Sequence, residues 1–284
     1  RSWSATPFSS APTTSLTTNA GGSVVINGGL VRTTGAQNYG EVVTLGADTT
    51  LRGVNVAFAS TIDSVGNTPF SLNITDSGTT VLGGSVGALH ALSSLTTDSL
   101  STAAGETHIK GAQIITTGDA VFNDIVKVFT DATVQAAGQL SFMQTVDADV
   151  ANTRTLRLNG GNTGAINVYG ALGGTVPFKS LEVVNSEMAT FTGKVTASDS
   201  VVLTDTNAYN AIAFNGGLST TTLSVAAEPF SLILRGEVSV TNATTFANTG
   251  TLQLGGVESD NLYFAGGLVA TAPSSISMAG VVHT

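Results

Sequence analysis

The chain has 284 residues, a formal net charge of -9 and only 10% charged residues, while 42% of its residues are hydrophobic. This composition excludes wholesale disorder, and the scattering of Lys and Arg excludes a nucleic-acid surface, which needs clustered basic side chains. The absence of Cys excludes disulfides, iron–sulfur clusters and thiolate zinc sites. No apolar run reaches the roughly 18 residues of a transmembrane helix, so we expect no membrane insertion.

Residues 1–15 differ from the rest of the chain. They are rich in Ser, Thr and Pro, and Trp3 and Phe8 are their only large apolar residues. One interpretation is a flexible leader or linker. The other is an extended arm whose Trp3 and Phe8 dock on a neighbouring subunit and add a strand there. The two interpretations differ in whether deletion of the arm abolishes assembly.

From residue 16 onwards the chain consists of short segments that alternate apolar and polar residues and end at Gly or Asn. Clear examples are residues 23–29, 107–111, 189–193, 251–256 and 261–267. This pattern is typical of a half-buried strand followed by a corner. Such segments recur roughly every 8–12 residues, and helical periodicity is nearly absent. The sequence therefore predicts an all-β fold.

A longer repeat, with a period of about 83 residues, is superimposed on these short segments. Three pairs of similar segments share this offset: 32–39 with 115–122, 47–51 with 130–134, and 86–89 with 169–172. A long repeat over a short one is expected when similar coils stack in one dimension. We predict a parallel β-helix (a β-solenoid) forming a single elongated domain over residues 16–284, with a β-sandwich array as the alternative. At roughly 20 residues per coil, about 13 or 14 coils fit.

Several segments resemble the repeats of large bacterial surface proteins. These are residues 93–98, the Thr-Thr-Gly segment that ends at 120–124, and residues 42–51. They are similar to filamentous-haemagglutinin-like and autotransporter-like adhesins, and the resemblance covers most of residues 15–181. It implies a right-handed parallel β-helix, export to the extracellular space or bacterial cell surface, and a role in adhesion or a surface fibre. It carries over no catalytic residues.

Carboxylate pairs are the first candidates for catalysis, because parallel β-helices include polysaccharide lyases and hydrolases and glycosidases use two acids. Asp147 and Asp149 are predicted to share one face of a strand, and Asp119 and Asp124 could meet if the chain turns between them. Acids this frequent in turns are mostly solvated. We therefore predict no catalytic residues and no enzymatic activity.

The remaining polar and aromatic residues indicate no cofactor and no metal. His90, His108 and His283 lack the spacing of a metal site, and we interpret His108 as an exposed strand residue beside Glu106 and Lys110. Most aromatic residues of such coils pack inside, but exposed tyrosines are candidates for stacking on sugars: Tyr39, Tyr169, Tyr209 and Tyr263. Two short segments fit the N-glycosylation acceptor pattern, 73–75 and 242–244.

Together these features predict a structural subunit or segment of a bacterial extracellular fibre or surface adhesin. Its expected partners are further copies of itself, joined end to end or in tandem, and surface glycans. The alternative is a polysaccharide-binding or polysaccharide-degrading β-helix protein. Cleavage of pectin or alginate that depends on Asp147 or Asp149 would favour the alternative, and binding without turnover would favour an adhesin.

Overall fold

The structure, a computed structural model, describes residues 2–3, 13–98, 105–208 and 210–284. These residues form β-strands joined by turns, and no helix occurs among them. The strands in chain order are β1 (Ser2–Trp3), β2 (Leu16–Thr18), β3 (Ser23–Ile26), β4 (Leu30–Arg32), β5 (Gln37–Tyr39), β6 (Val42–Leu45), β7 (Thr49–Arg52), β8 (Val56–Phe58), β9 (Ile62–Ser64), β10 (Ser71–Thr75), β11 (Thr79–Leu82), β12 (Ser94–Thr97), β13 (Glu106–Ile109), β14 (Gln113–Thr116), β15 (Ala120–Phe122), β16 (Ile125–Val128), β17 (Ala132–Ala136), β18 (Leu140–Phe142), β19 (Val146–Ala148), β20 (Thr155–Asn159), β21 (Ile166–Val168), β22 (Phe178–Asn185), β23 (Ala189–Phe191), β24 (Val195–Leu203), β25 (Ala211–Phe214), β26 (Leu218–Val225), β27 (Ser231–Leu234), β28 (Glu237–Val240), β29 (Thr244–Thr245), β30 (Thr251–Leu254), β31 (Asn261–Phe264), β32 (Leu268–Val269), β33 (Ser275–Met278) and β34 (Val281–His283).

The chain divides into two units, Arg1–Gly138 and Gln139–Thr284. In the first unit, four rows of strands run in the orders β1-β3-β6-β9, β4-β7-β10-β12-β15, β2-β5-β8-β11-β13-β16 and β14-β17. Neighbours within a row are parallel and lie one full coil apart in the sequence. For example, Thr50 pairs with Asn73 and Asn73 pairs with Thr96, so that the same strand position recurs once in every coil. This is the arrangement of a parallel β-solenoid.

The second unit has two long rows of parallel strands. Their orders are β18-β21-β23-β25-β27-β30-β33 and β20-β22-β24-β26-β28-β31-β34. Leu232 pairs with Leu252 and Leu252 pairs with Ile276, so successive coils differ in length. The long strand β24 changes register against β26 between Ala197 and Ser200, which lets one strand bend around a corner of the coil.

The core consists of like residues stacked on successive rungs. Inward positions hold Val, Leu, Ile and Phe, because alternate side chains of a strand point to the same face. Phe191 and Phe214 are register partners, and their rings stack with centroids 4.8 Å apart. Tyr39 and Phe58 stack in the same way at 4.9 Å. Each such fully buried apolar side chain contributes about 1.5–3 kcal/mol to folding.

The prediction of an all-β parallel β-solenoid is confirmed, and the parallel pairing within each unit excludes the β-sandwich alternative. The number of coils was overestimated. The row that contains β4 has five strands in the first unit, and the row that contains β33 has seven strands in the second. Fewer coils fit because many of them are longer than the assumed length, as the pairing of Thr96 with Val121 on the next coil shows. The corners, not the strands, supply the additional residues.

Candidate functional site

The predicted amino-terminal arm is described only at Ser2 and Trp3. These two residues form β1, which pairs in parallel with Val25 and Ile26 of β3 in the same chain. Phe8 lies outside the described residues. Docking of Trp3 and Phe8 on a neighbouring subunit therefore stays a prediction.

The predicted pair Asp147 and Asp149 is engaged in structural contacts. Asp147, in β19, is buried, and its Oδ1 accepts hydrogen bonds from the backbone N–H groups of Thr175 and Val176, both at 3.1 Å. The carboxylate of Asp149 accepts hydrogen bonds from Nε and Nη2 of Arg154, at 2.6 and 2.9 Å. These hydrogen bonds from Arg154 hold the pKa of Asp149 below its usual range, which does not suit a general acid. The two carboxylates thus have different hydrogen-bond partners.

The second predicted pair is also separated. Asp119 is exposed, whereas Asp124 is buried after β15. Asp124 accepts hydrogen bonds from the hydroxyl of Thr107 at 2.9 and 3.0 Å and from the hydroxyl of Thr97 at 3.2 Å. It belongs instead to a group of buried acids that sequence reasoning missed.

This group, which we call the aspartate row, consists of Asp76, Asp98 and Asp124. Each member follows a strand of the β10-β12-β15 series, just after its end, and each is buried. The regular position after successive strands of one row is the signal that could have revealed it. Asp76 Oδ2 accepts hydrogen bonds from the backbone N–H of Val56 at 3.0 Å and the hydroxyl of Thr80 at 3.2 Å.

Burial controls the ionisation of the aspartate row. The pKa of Asp76 is raised to about 6, mainly by desolvation and to a smaller extent by the nearby charges of Asp124 and Asp98, against the lowering effect of its hydrogen bonds. Burial also raises the pKa values of Asp98 and Asp124. One carboxylate oxygen of Asp76 and one of Asp98 are buried without a partner among the described residues. The row does not form a metal site, because no three acidic or histidine residues in the described ranges converge on a point that could hold an ion.

A charged and aromatic cluster lies on the outer side of β13 and β16. Glu106 contacts Nε2 of His108 at 2.8 Å and Nζ of Lys127 at 2.7 Å. The hydrogen bond from Lys127 has the larger effect and that with His108 the smaller, and together they hold the pKa of Glu106 below its usual range. The ring of Phe129 lies 4.8 Å from His108 and 4.9 Å from Nζ of Lys110. His108 thus lies on β13 beside Glu106, but it is half-buried and not exposed as predicted.

A shallow groove of about 510 Å³ adjoins this cluster on the outer side of the same row of strands. Asn38 and Ala57, which are register partners on β5 and β8, line the groove. Their side chains are short and leave the space of the groove open. Hydroxyl groups of Thr17 and Thr18 line one part of the groove, and Lys110 supplies an ammonium group. The surface of the groove is mostly apolar, with Thr17, Thr18, Asn38 and Lys110 as its polar residues, and it is lined by no Asp, Glu or His.

The predicted tyrosines fall into three situations. Tyr39 is buried and donates its hydroxyl hydrogen to Gln37 Oε1 at 2.9 Å, so it is not available to a sugar. Tyr169 and Tyr263 are partly exposed, and Tyr263 stacks on the His283 ring with centroids 4.2 Å apart. Tyr209 lies outside the described residues.

The last strands of the second unit form an open edge. Ile276 and Met278 of β33 are register partners of Leu252 and Leu254 of β30. Both leucines are 1% exposed, whereas Ile276 is 44% and Met278 68% exposed. In the described part of the chain no strand pairs with the outer edge of β33 or of β34. The apolar positions of the core therefore continue to this edge and are uncovered there.

Comparison with protein-family models, curated proteins and solved structures found no match to this chain. In the described ranges the search for membrane-spanning helices also found none that is long and apolar enough. The fold and the open edge of β33 and β34 are thus the basis for a functional proposal.

Proposed function

We propose that this chain is a structural β-solenoid segment of a bacterial extracellular fibre or surface adhesin, and that further coils continue on β33 and β34, either in a second copy stacked end to end or in tandem repeats. The observation that carries this proposal is the exposure of Ile276 and Met278. One coil earlier, the same positions are the buried core residues Leu252 and Leu254.

The chemistry of the edge favours the addition of another strand. The outer N–H and C=O groups of β33 are a template for ladder hydrogen bonds, like those that β33 already makes with β30. Burial of Ile276 and Met278 would add about 1–2 kcal/mol each. Natural edge strands avoid association by means of charged residues or Pro, and neither β33 nor β34 contains an Asp, Glu, Lys, Arg or Pro.

Electron microscopy of the purified protein at several concentrations tests this proposal. We expect rods whose length grows with protein concentration, and we expect Ile276→Lys and Met278→Lys to shorten them to single molecules. Leu89→Lys is the matched control, because Leu89 is 77% exposed in a bend and not on a strand edge. Rods of one fixed length at every concentration would contradict end-to-end stacking, as would equal shortening by Leu89→Lys.

A second candidate function is the binding of a polysaccharide without cleavage, which the groove beside Lys110 favours. Ala57→Trp would fill the floor of the groove, whereas the control Ser239→Trp would alter an exposed position of β28 in a different sheet row. A glycan array should show hits for the wild-type protein that Ala57→Trp removes. If the array shows no hits, only the structural role is supported.

A further inference from the structure

Arg32 and Arg52 form a like-charged pair on the outer side of the first unit. Arg32 ends β4, Arg52 ends β7, and the two residues are register partners. Their Cα atoms are therefore one rung apart, about 4.8 Å in a β-sheet. Both residues are exposed, and as register partners on parallel strands they lie on the same face of the sheet.

Neither arginine is neutralised by an acid of this chain. Every Asp and Glu of the sequence lies among the described residues, and none forms an ion pair with Arg32 or Arg52. Four other basic side chains do have such a partner, in the pairs Lys127–Glu106, Arg154–Asp149, Arg157–Glu182 and Lys194–Glu237.

Asp76, which follows the next strand of this row, does not neutralise the positive charge of Arg32 and Arg52. Thr75 is the register partner of Arg52, and Asp76 follows it. Burial dominates the pKa of Asp76, which is raised and not lowered. The positive charge of the pair therefore remains directed at the solvent.

We propose that Arg32 and Arg52 bind the oxyanion groups of an acidic polysaccharide. Like charges directly opposite each other in a sheet are destabilising, and an oxyanion between two guanidinium groups relieves this repulsion. Guanidinium groups bind carboxylate and sulfate oxygens through two parallel hydrogen bonds, which a single ammonium group cannot do. The shared chemistry is thus a carboxylate or a sulfate group on a sugar chain.

The neighbouring outward residues suit a sugar. Leu30 lies two residues before Arg32 on the same face and is 50% exposed, and its register partner Thr50 carries a hydroxyl group. A sugar ring presents a C–H surface and hydroxyl groups, which match Leu30 and Thr50 next to the arginine pair. This face belongs to the β4-β7-β10 row, whereas the groove lies on the β2-β5-β8 row.

A polymer is a better ligand here than a small anion. An exposed ion pair contributes only about 0.2–1 kcal/mol and is screened by salt. A polysaccharide with an anion on every sugar presents many groups to the same site and keeps the local anion concentration high. The inference goes beyond the structural role and does not depend on end-to-end stacking.

The test is binding of the purified protein to three immobilised polymers at low and high salt: polygalacturonate, which carries carboxylates, dextran sulfate, which carries sulfates, and dextran, which is neutral. We expect binding to at least one acidic polymer, loss of this binding at high salt, and no binding to dextran. The polymer that binds more tightly identifies the oxyanion. Binding to neither acidic polymer, or equal binding to dextran, would overturn the inference.

Variants distinguish binding by the arginine pair from a general effect of the protein's charge on polysaccharide binding. Arg32→Gln and Arg52→Gln should each weaken binding by roughly three- to fivefold. Lys179→Gln removes the same charge from an exposed residue of the second unit and should weaken binding by less than about twofold. An equal effect of Lys179→Gln would overturn the site. Microscopy of the two Arg variants should show unchanged assembly, so a failure here is distinct from a failure of the structural proposal.

Discussion

Met278 lies in register with Leu254, yet Leu254 is 1% exposed and Met278 is 68% exposed. The residues occupy the same inward position on consecutive rungs and differ in what covers them. Leu254 has a coil on both sides, whereas Met278 has a coil on one side only among the described residues. The same relationship joins Leu252 and Ile276. The core thus reaches the surface at β33.

Truncation of these two side chains should have very different costs. Leu254→Ala should lower the free energy of unfolding by about 2–5 kcal/mol, since it leaves a cavity between two coils. Met278→Ala should cost less than about 1 kcal/mol in the dispersed protein, because most of that side chain is already in water. Urea denaturation at low protein concentration measures both. Equal losses would contradict the difference in burial.

The aspartate row should make the stability of the first unit depend on pH. The pKa of Asp76 is about 6 in the folded protein and 3.8 as its ordinary value. Its contribution to stability is therefore fully present below pH 3.8 and is lost as the pH rises through about 6. We expect Asp76→Asn to be more stable than the wild type at about pH 7.5, and this advantage to shrink or reverse at about pH 4. Denaturant unfolding at the two pH values measures the difference.

Asp149→Asn is a control variant for which we expect the opposite pH dependence of stability. Hydrogen bonds from Arg154 lower the pKa of Asp149, so its contribution is present above its ordinary pKa and is lost as the pH falls through the lowered value. Asp149→Asn should be less stable than the wild type at about pH 7.5, and the gap should close in acid. If Asp76→Asn behaves like Asp149→Asn, the burial of Asp76 does not have the effect described.

Asp147 should act as a structural residue. Asp147→Ala removes the acceptor for two backbone N–H groups and should cost about 1–3 kcal/mol, whereas Asp147→Asn keeps an acceptor oxygen and should cost less. Thermal unfolding compares the two variants. Cleavage of polygalacturonate or alginate by the wild type, lost in Asp147→Asn without loss of stability, would contradict this assignment and favour an enzyme.

The strands could be predicted from sequence because their residues alternate strictly. Segments such as 23–29 and 251–256 indicated the positions of β3 and β30, and the inward residues indicated the core. The parallel coil followed from the long repeat. The similar spacing of strands in a sandwich was the main competitor, and only the pairing of strands one coil apart decides between them.

The fine alignment of the repeat could not be predicted, because the corners differ in length. Sequence similarity matched Val86 with Tyr169, but Val86 bridges Ile62 in the first unit as Leu172 bridges Val146 in the second. The next residues, Gly87 and Gly173, adopt φ values of 67° and 68°, a conformation that favours glycine. The structural equivalent of Val86 is therefore Leu172, and not Tyr169.

The hydrogen-bond partners of the acids could not be predicted either, because they depend on which residues of neighbouring coils lie in register. Asp63 accepts hydrogen bonds from the N–H groups of Leu89 and His90, as Asp147 does from Thr175 and Val176. These partners lie more than one coil corner away in sequence, so no local pattern revealed them. The aspartate row and the Arg32–Arg52 pair were missed for the same reason.

Hydrogen–deuterium exchange of residues 275–278 as a function of protein concentration tests the stacking on β33 most directly. If a second copy adds a strand there, the exchange of these amides should slow as the concentration rises, and Met278→Lys should abolish this protection. Exchange of β33 that stays fast and independent of concentration, in samples where microscopy shows long rods, would contradict the proposed stacking edge.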